Sequence, residues 1–199
     1  MILRMTKTLY YYKVFKPFGM LSQFTSPHGD AVLGDLYDFP KDVYSVGRLD
    51  KDSEGLLLLT NDNAFKTAML EPEKETPKTY LVQVDGAVSQ EAISLLESGT
   101  IVITHKGKKH QVAPAKCEII PPPDLPERSK PVRIRKNVPT TWLKLTIIEG
   151  KNRQVRKMTA AAGHPTLRLV RWSVENYELG DMQPGDVVEF RVQNSEFRV

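Results

Sequence analysis

Nine residues set between two apolar runs, Gly47-Arg48-Leu49-Asp50-Lys51-Asp52-Ser53-Glu54-Gly55, carry five ionisable side chains. Acids at every second position need cations, and two readings would supply them. In a calcium loop, Asp50, Asp52, Glu54 and Gly55 would fill the first, third, fifth and sixth positions of an EF-hand. The twelfth position is then Asn61, where a bidentate Glu is required, and the flanks read as strands instead of helices. In a solvated turn, Arg48 and Lys51 would simply neutralise the acids.

A second constellation is Glu149-Gly150-Lys151-Asn152-Arg153-Gln154-Val155-Arg156-Lys157-Met158, which reads as strand, turn and helix. Val155, Met158, Thr159 and Ala162 follow the i, i+3, i+4, i+7 spacing of a buried face, so Arg153, Arg156 and Lys157 project from adjoining faces. Cations around a helix N-terminus suit a phosphate. A third is Lys78-Thr79-Tyr80 at a strand start, where a tyrosine more often packs than reacts.

The elements that must position these groups follow from the surrounding pattern. Residues 9–15 are aromatic and β-branched and stop at Lys16-Pro17, as a strand does. A short helix is expected over 31–37 and a strand over 43–46. The run 56–60 is apolar without alternation, the signature of a strand buried on both faces. Asn61-Asp62 caps a helix to about Leu70. A strand follows over 78–84, then a helix from the Ser89 cap to Gly99, and two strands around a turn at 106–109. Further strands are expected at 142–148, 167–173 and 187–192, with a helix over 152–162 closed by Gly163 and Pro165. The order is α+β, without strict βαβ alternation.

Residues 121–139 include Pro121, Pro122, Pro123, Pro126, Pro131 and Pro139, which exclude helix and central strand. This long loop carries Arg128, Lys130, Arg133, Arg135 and Lys136, a set suited to an RNA backbone, although a disordered basic insert has the same composition.

Charge supports a polyanionic partner by its distribution more than by its total. The 199 residues carry a net +4, yet 128–172 hold twelve Lys or Arg against one acid, Glu149, and the rest is net acidic. Such polarity draws phosphate to one face. No apolar run approaches the ~20 residues of a membrane span and no secretory signal opens the chain, so the expected location is the cytoplasm. The single cysteine, Cys117, excludes an internal disulfide and reads as packing.

Together these motifs resemble the RNA pseudouridine synthases, in their ribosomal-RNA branch. The resemblance spans nearly the whole chain: Phe15-Lys16-Pro17 with Gly19 and Gln23, Gly47-Arg48-Leu49-Asp50 with Ser53-Glu54-Gly55-Leu56, Lys78-Thr79-Tyr80, Glu149-Gly150 with Arg153-Gln154-Val155-Arg156-Lys157-Met158, and Pro184-Gly185-Asp186. It implies a mixed, mostly antiparallel central sheet flanked by helices, with the active-site cleft across the sheet. It implies a tail over 1–8 and a catalytic domain over 9–194 in two intimate subdomains, 9–77 and 78–194. No separate RNA-binding module of the S4 type fits before Tyr10.

The same resemblance makes Asp50 the essential carboxylate, either attacking the sugar or removing a sugar proton. It makes Arg156 the basic partner of Asp50, Tyr80 the ring against the target base, and Leu169 the apolar residue beside it. Arg48, Lys78, Arg153, Gln154 and Lys157 are expected around the substrate. The implied substrate is a uridine of 23S ribosomal RNA, with no metal, no cofactor and a monomeric enzyme. The wider superfamily often has His where Arg153 stands, whereas this branch carries Arg. Two rivals stay open on sequence: a non-catalytic RNA-binding protein on the same fold, and a synthase for transfer or small-subunit RNA.

Overall fold

The computed structural model describes residues 7–133 and 135–192. Residues 1–6, most of the expected tail, and 193–194 at the end of the expected domain lie outside the described residues. Among those described, the chain forms β1 (Tyr11–Lys16), β2 (Tyr44–Ser45), β3 (Glu54–Thr60), α1 (Asn63–Leu70), β4 (Lys78–Asp85), α2 (Gln90–Glu97), β5 (Val102–His105) and β6 (Lys108–Gln111). It continues with β7 (Lys116–Ile120), β8 (Thr140–Ile147), α3 (Gln154–Ala161), β9 (Thr166–Val174), β10 (Tyr177–Glu178) and β11 (Val187–Glu189).

The main sheet runs β11-β1-β3-β9-β4-β8-β7, with β2 beside β3 and β10 against β9. Only β3 and β9 pair in parallel, so the sheet is mixed and mostly antiparallel, as expected. β5 and β6 form a separate hairpin.

β3 sits inside the sheet because its sequence has no polar face. Leu56 and Leu58 enter one core cluster with Phe15, Phe65 and Val170, while Leu57 and Leu59 enter another with Tyr12, Val14 and Leu33. The alternation sends successive leucines to opposite faces, and each fully buried side chain contributes about 2 kcal/mol. A third cluster joins α2 and α3 to β4 and β8 through Leu96, Val155, Met158, Val82 and Leu145. The helix starts are fixed locally: Asp62 accepts from the Ala64 and Phe65 amides, and Ser89 from Ala92. No described helix is long and apolar enough to cross a membrane.

Several expectations change. The helix expected over 31–37 is one 3-10 turn, Leu33–Asp35, its entry tied by the Val32 amide to the Asp35 carboxylate at 2.9 Å. β7 was not foreseen as a strand; its Cys117 is buried as expected, and burial pushes the thiol up to about 12. The last strand is shorter than expected.

The proline-rich loop is fastened to the body. Leu125 packs on the β1–β3 cluster, the Pro126 carbonyl accepts from Arg168 at 2.8 Å, and the Gly86 amide donates to Pro139. Arg128 lies over the Phe18 ring at 4.2 Å, and Arg135 pairs with the Asp85 carboxylate. These anchors replace the picture of a disordered insert for the described residues.

Candidate active site

The loop that carries Asp50 is held by its neighbours before any ligand arrives. The Ser22 hydroxyl donates to the Leu49 carbonyl at 2.8 Å and accepts from the Leu49 amide at 3.0 Å. The Gly19 amide donates to Lys51 and the Ser53 amide to Asp50, closing a turn. Gly55 then lets β3 and β9 approach: a Cβ there would lie 2.3 Å from the Arg171 carbonyl oxygen, and its φ is +106°. Only glycine fits.

Glu54, one of the three acids of the loop, is the first residue of β3 and is 1% exposed. Its carboxylate takes Arg168 in a bidentate pair, Nε at 3.1 Å and Nη2 at 2.9 Å. It is therefore a structural anion. Asp52 and Asp50 stay half-exposed at the surface of the cleft.

Asp52 collects the two helix arginines. Arg153 donates to both of its carboxylate oxygens, at 2.8 and 2.9 Å. Arg156 donates to the Asp52 main-chain carbonyl at 2.7 Å and lies 3.4 Å from its carboxylate. Burial pushes the Asp52 carboxyl up, but the Arg153 hydrogen bonds and both guanidinium charges outweigh it and hold the carboxyl below its usual value. Burial dominates at Arg156 and lowers its pKa, against the pull of Asp52.

Asp50 itself pairs with Arg153, Nη1 to Oδ2 at 3.6 Å, and this is its one ion pair among the described residues. The expected pairing of Arg156 with Asp50 is thus indirect. Arg156 is turned onto Asp52 because its guanidinium reaches the loop's main chain there. Arg153 makes the direct contact from a left-handed backbone, φ +53°, at the α3 N-cap. A non-glycine residue in that region costs about 1 kcal/mol or more, offset by the double hydrogen bond.

Asp50, Tyr80 and Leu169 line one cavity of about 640 Å³, within the size range of small-molecule sites. Tyr80 on β4 stands opposite Arg171 on β9, and Leu169 opposite Val82. Lys78 lies in the same cavity and donates to the Thr76 carbonyl; burial, then Arg171, lowers its pKa. Arg171 is 5% exposed and donates through Nε to the Leu56 carbonyl. A smaller recess of about 380 Å³, lined by Phe18, Gly19 and Asp52, meets the first at Asp50, Lys51 and Arg153.

The other expected substrate residues divide. Arg48 is exposed at the cavity wall. Gln154 is buried and spent on the helix start, donating to Glu149 at 2.8 Å and accepting from the Lys151 amide at 3.0 Å. Lys157 is likewise occupied, its ammonium donating to the Thr104 and Asn152 carbonyls at 2.7 and 2.8 Å. Gln154 nonetheless lines the larger cavity, and the Lys157 ammonium has a third N–H beyond these two bonds. Among the described residues of the proline-rich loop, Arg128 stacks on Phe18; Lys130, Arg133 and Lys136 are exposed.

Sequence reading missed the role of Asp52, which spacing alone cannot separate from its neighbours. It also missed Lys16, fully buried, with its ammonium donating to the Pro17 and Met20 carbonyls at 2.9 and 2.8 Å. Burial pushes that ammonium down to about 8, against Glu54 and Asp52.

Comparison with known proteins identifies the family. The family model for RNA pseudouridylate synthase matches residues 10–161. A Vibrio parahaemolyticus protein named ribosomal large subunit pseudouridine synthase E is 50% identical over 177 residues, 89% of this chain and 72% of its own length. A Xanthomonas axonopodis pv. citri protein of the same name is 47% identical, over 85% of this chain and 87% of its own. A crystal structure of a pseudouridylate synthase superposes with a TM-score of 0.75 at 26% identity, covering 94% of this chain and 72% of that one. On its fold, its cleft and these relationships, the chain belongs to the RNA pseudouridylate synthase family.

Proposed function

We propose that the chain converts a uridine of large-subunit, 23S, ribosomal RNA to pseudouridine in the cytoplasm, with Asp50 as the catalytic carboxylate. The observation that carries the reading is the placement of Asp50 in a cavity walled by Tyr80 and Leu169 and bordered by Arg153. The relatives' printed names supply the RNA class.

The reaction is an isomerisation: the N1–C1′ bond breaks, uracil turns, a C5–C1′ bond forms, C5 loses a proton and N1 gains one. Atoms and electrons balance within the nucleotide, so the stoichiometry calls for no redox or group-transfer partner. Asp50, as a carboxylate, either attacks C1′ or takes the sugar proton whose loss gives a glycal. Arg153 fixes its orientation directly, and Arg156 holds the turn beneath it through Asp52. Tyr80 offers a ring face to the base, and Leu169 closes the apolar side. A base paired within a helix must be flipped out to reach this cavity, costing a few kcal/mol that phosphate contacts offset. Arg128, Lys130, Arg133, Arg135 and Lys136 supply cations for that purpose.

The test is to map pseudouridine in large-subunit RNA from cells lacking the protein, complemented with wild type or Asp50→Asn. One site should vanish and return with wild type alone. Persistence of every site would refute the assignment.

A further inference from the structure

Beyond the catalytic loop and the proline-rich loop, a third cationic element borders the cleft. The segment 101–116 holds Lys106, Lys108, Lys109 and Lys116 and no acid. Residues 102–111 of it fold as the β5–β6 hairpin, turning at Lys106 and Gly107, whose φ values are +49° and +75°. The hairpin is fixed in place. Ile103 and Val112 are buried in the α2–α3 core, and the Lys157 ammonium on α3 grips the Thr104 carbonyl. His105 and Lys106 thereby join Asp50 in the walls of the larger cavity.

The hairpin has two unlike faces. In its register Lys108 stands opposite His105, on the face that buries Ile103, whereas Lys109 stands opposite Thr104 on the outer face. Lys106, Lys108 and Lys109 are exposed, and none makes an ion pair among the described residues. Glu149, which pairs with His110 on β6, is also taken by the Ala113 amide and Gln154. His105 Nδ1 is buried without a hydrogen-bond partner. Burial, then Lys106, Lys151, Lys157 and His110, keeps its imidazole below the ordinary value. A fixed cationic tip without an ion-pair partner among the described residues, reaching the larger cavity through Lys106, suits an anion.

We propose that the β5–β6 hairpin is a phosphate-binding arm, in which Lys106 and Lys108 hold the RNA backbone beside the flipped uridine. Lys109, on the outer face, takes no part. The arm serves the larger cavity, while Arg128 on Phe18 serves the smaller recess, so the strand is held from both cavities that meet at Asp50. The inference rests on the RNA reading above.

The experiment compares wild type, the Lys106→Ala/Lys108→Ala double variant and Lys109→Ala on an unmodified transcript of large-subunit ribosomal RNA. Binding is measured from about 50 to 300 mM salt, and turnover by tritium release from C5-labelled uridine. Each lost phosphate contact removes about 0.7–0.9 from the slope of log K against log salt. The double variant should lose about 1.5 from that slope and bind about tenfold more weakly at low salt, with kcat within twofold of wild type. Lys109→Ala should match wild type. An unchanged slope in the double variant, an equal loss in Lys109→Ala, or a fall in kcat without weaker binding would each overturn the arm. If wild type releases no tritium, the catalytic reading fails, while the binding slopes still decide the arm.

Discussion

The Arg153 guanidinium reaches Asp52 with two hydrogen bonds, 2.8 and 2.9 Å, while one of its nitrogens lies 3.6 Å from Asp50. Asp52 is therefore the residue through which helix α3 and the Asp50 turn hold each other. Asp52→Asn should keep the fold and the Arg156 bond to the main-chain carbonyl, but remove the charge that holds Arg153. We expect kcat to fall about 10- to 100-fold with KM changed less, as for a misplaced catalytic group. Asp52→Glu should recover part of the rate. Steady-state kinetics of the two variants check this, and an unaffected kcat would remove Asp52 from the account.

Arg153 combines that contact with a left-handed backbone. Arg153→Gly should relieve the backbone while deleting the pair, so activity should drop at least tenfold without loss of thermal stability. Calorimetry beside a rate assay separates the two effects. A lower melting temperature would show that the ion pair outweighs the strain.

The buried Glu54–Arg168 pair should behave differently, because its partners are 1% and 8% exposed. Arg168→Ala leaves an uncompensated carboxylate and loosens Pro126, and should destabilise the protein by about 3–5 kcal/mol. Denaturant unfolding measures it; a loss under about 1 kcal/mol would mean that water reaches Glu54.

Lys16 gives a pH signature. Its folded value, about 8, lies below the ordinary 10.5, so the folded state releases this proton first. Between those values the unfolded chain binds more protons, and stability rises with pH. Relative to Lys16→Met, wild type should gain stability from pH 8 to 10.5, by up to about 3 kcal/mol. Below pH 8 the difference should be flat. A difference that falls across this window would contradict a depressed ammonium.

Much of this architecture was legible in the residues themselves. Four successive leucines announced a strand buried on both faces, and Asp62 and Ser89 announced helix starts, because these signals are local. β7 escaped because an edge strand that buries Cys117 between exposed neighbours has no strong period of its own. Ala31 to Tyr37 looked helical, but the Asp35 carboxylate closes the turn on Val32 and ends it. At the site, the family resemblance brought forward Asp50, Tyr80 and Leu169, which share one cavity. It could not show which acid each arginine would choose. Arg153 and Arg156 choose Asp52, and Arg168 chooses Glu54, through contacts more than 100 residues apart in sequence.

The central claim, that Asp50 does chemistry and does not merely shape the RNA site, is tested most directly by Asp50→Asn. Purified wild type and variant are compared for binding to an unmodified large-subunit RNA transcript and for single-turnover release of the C5 proton. The account predicts binding within a few-fold of wild type and a rate reduced at least about 1,000-fold. Retained turnover, or a loss of binding as large as the loss of rate, would contradict it.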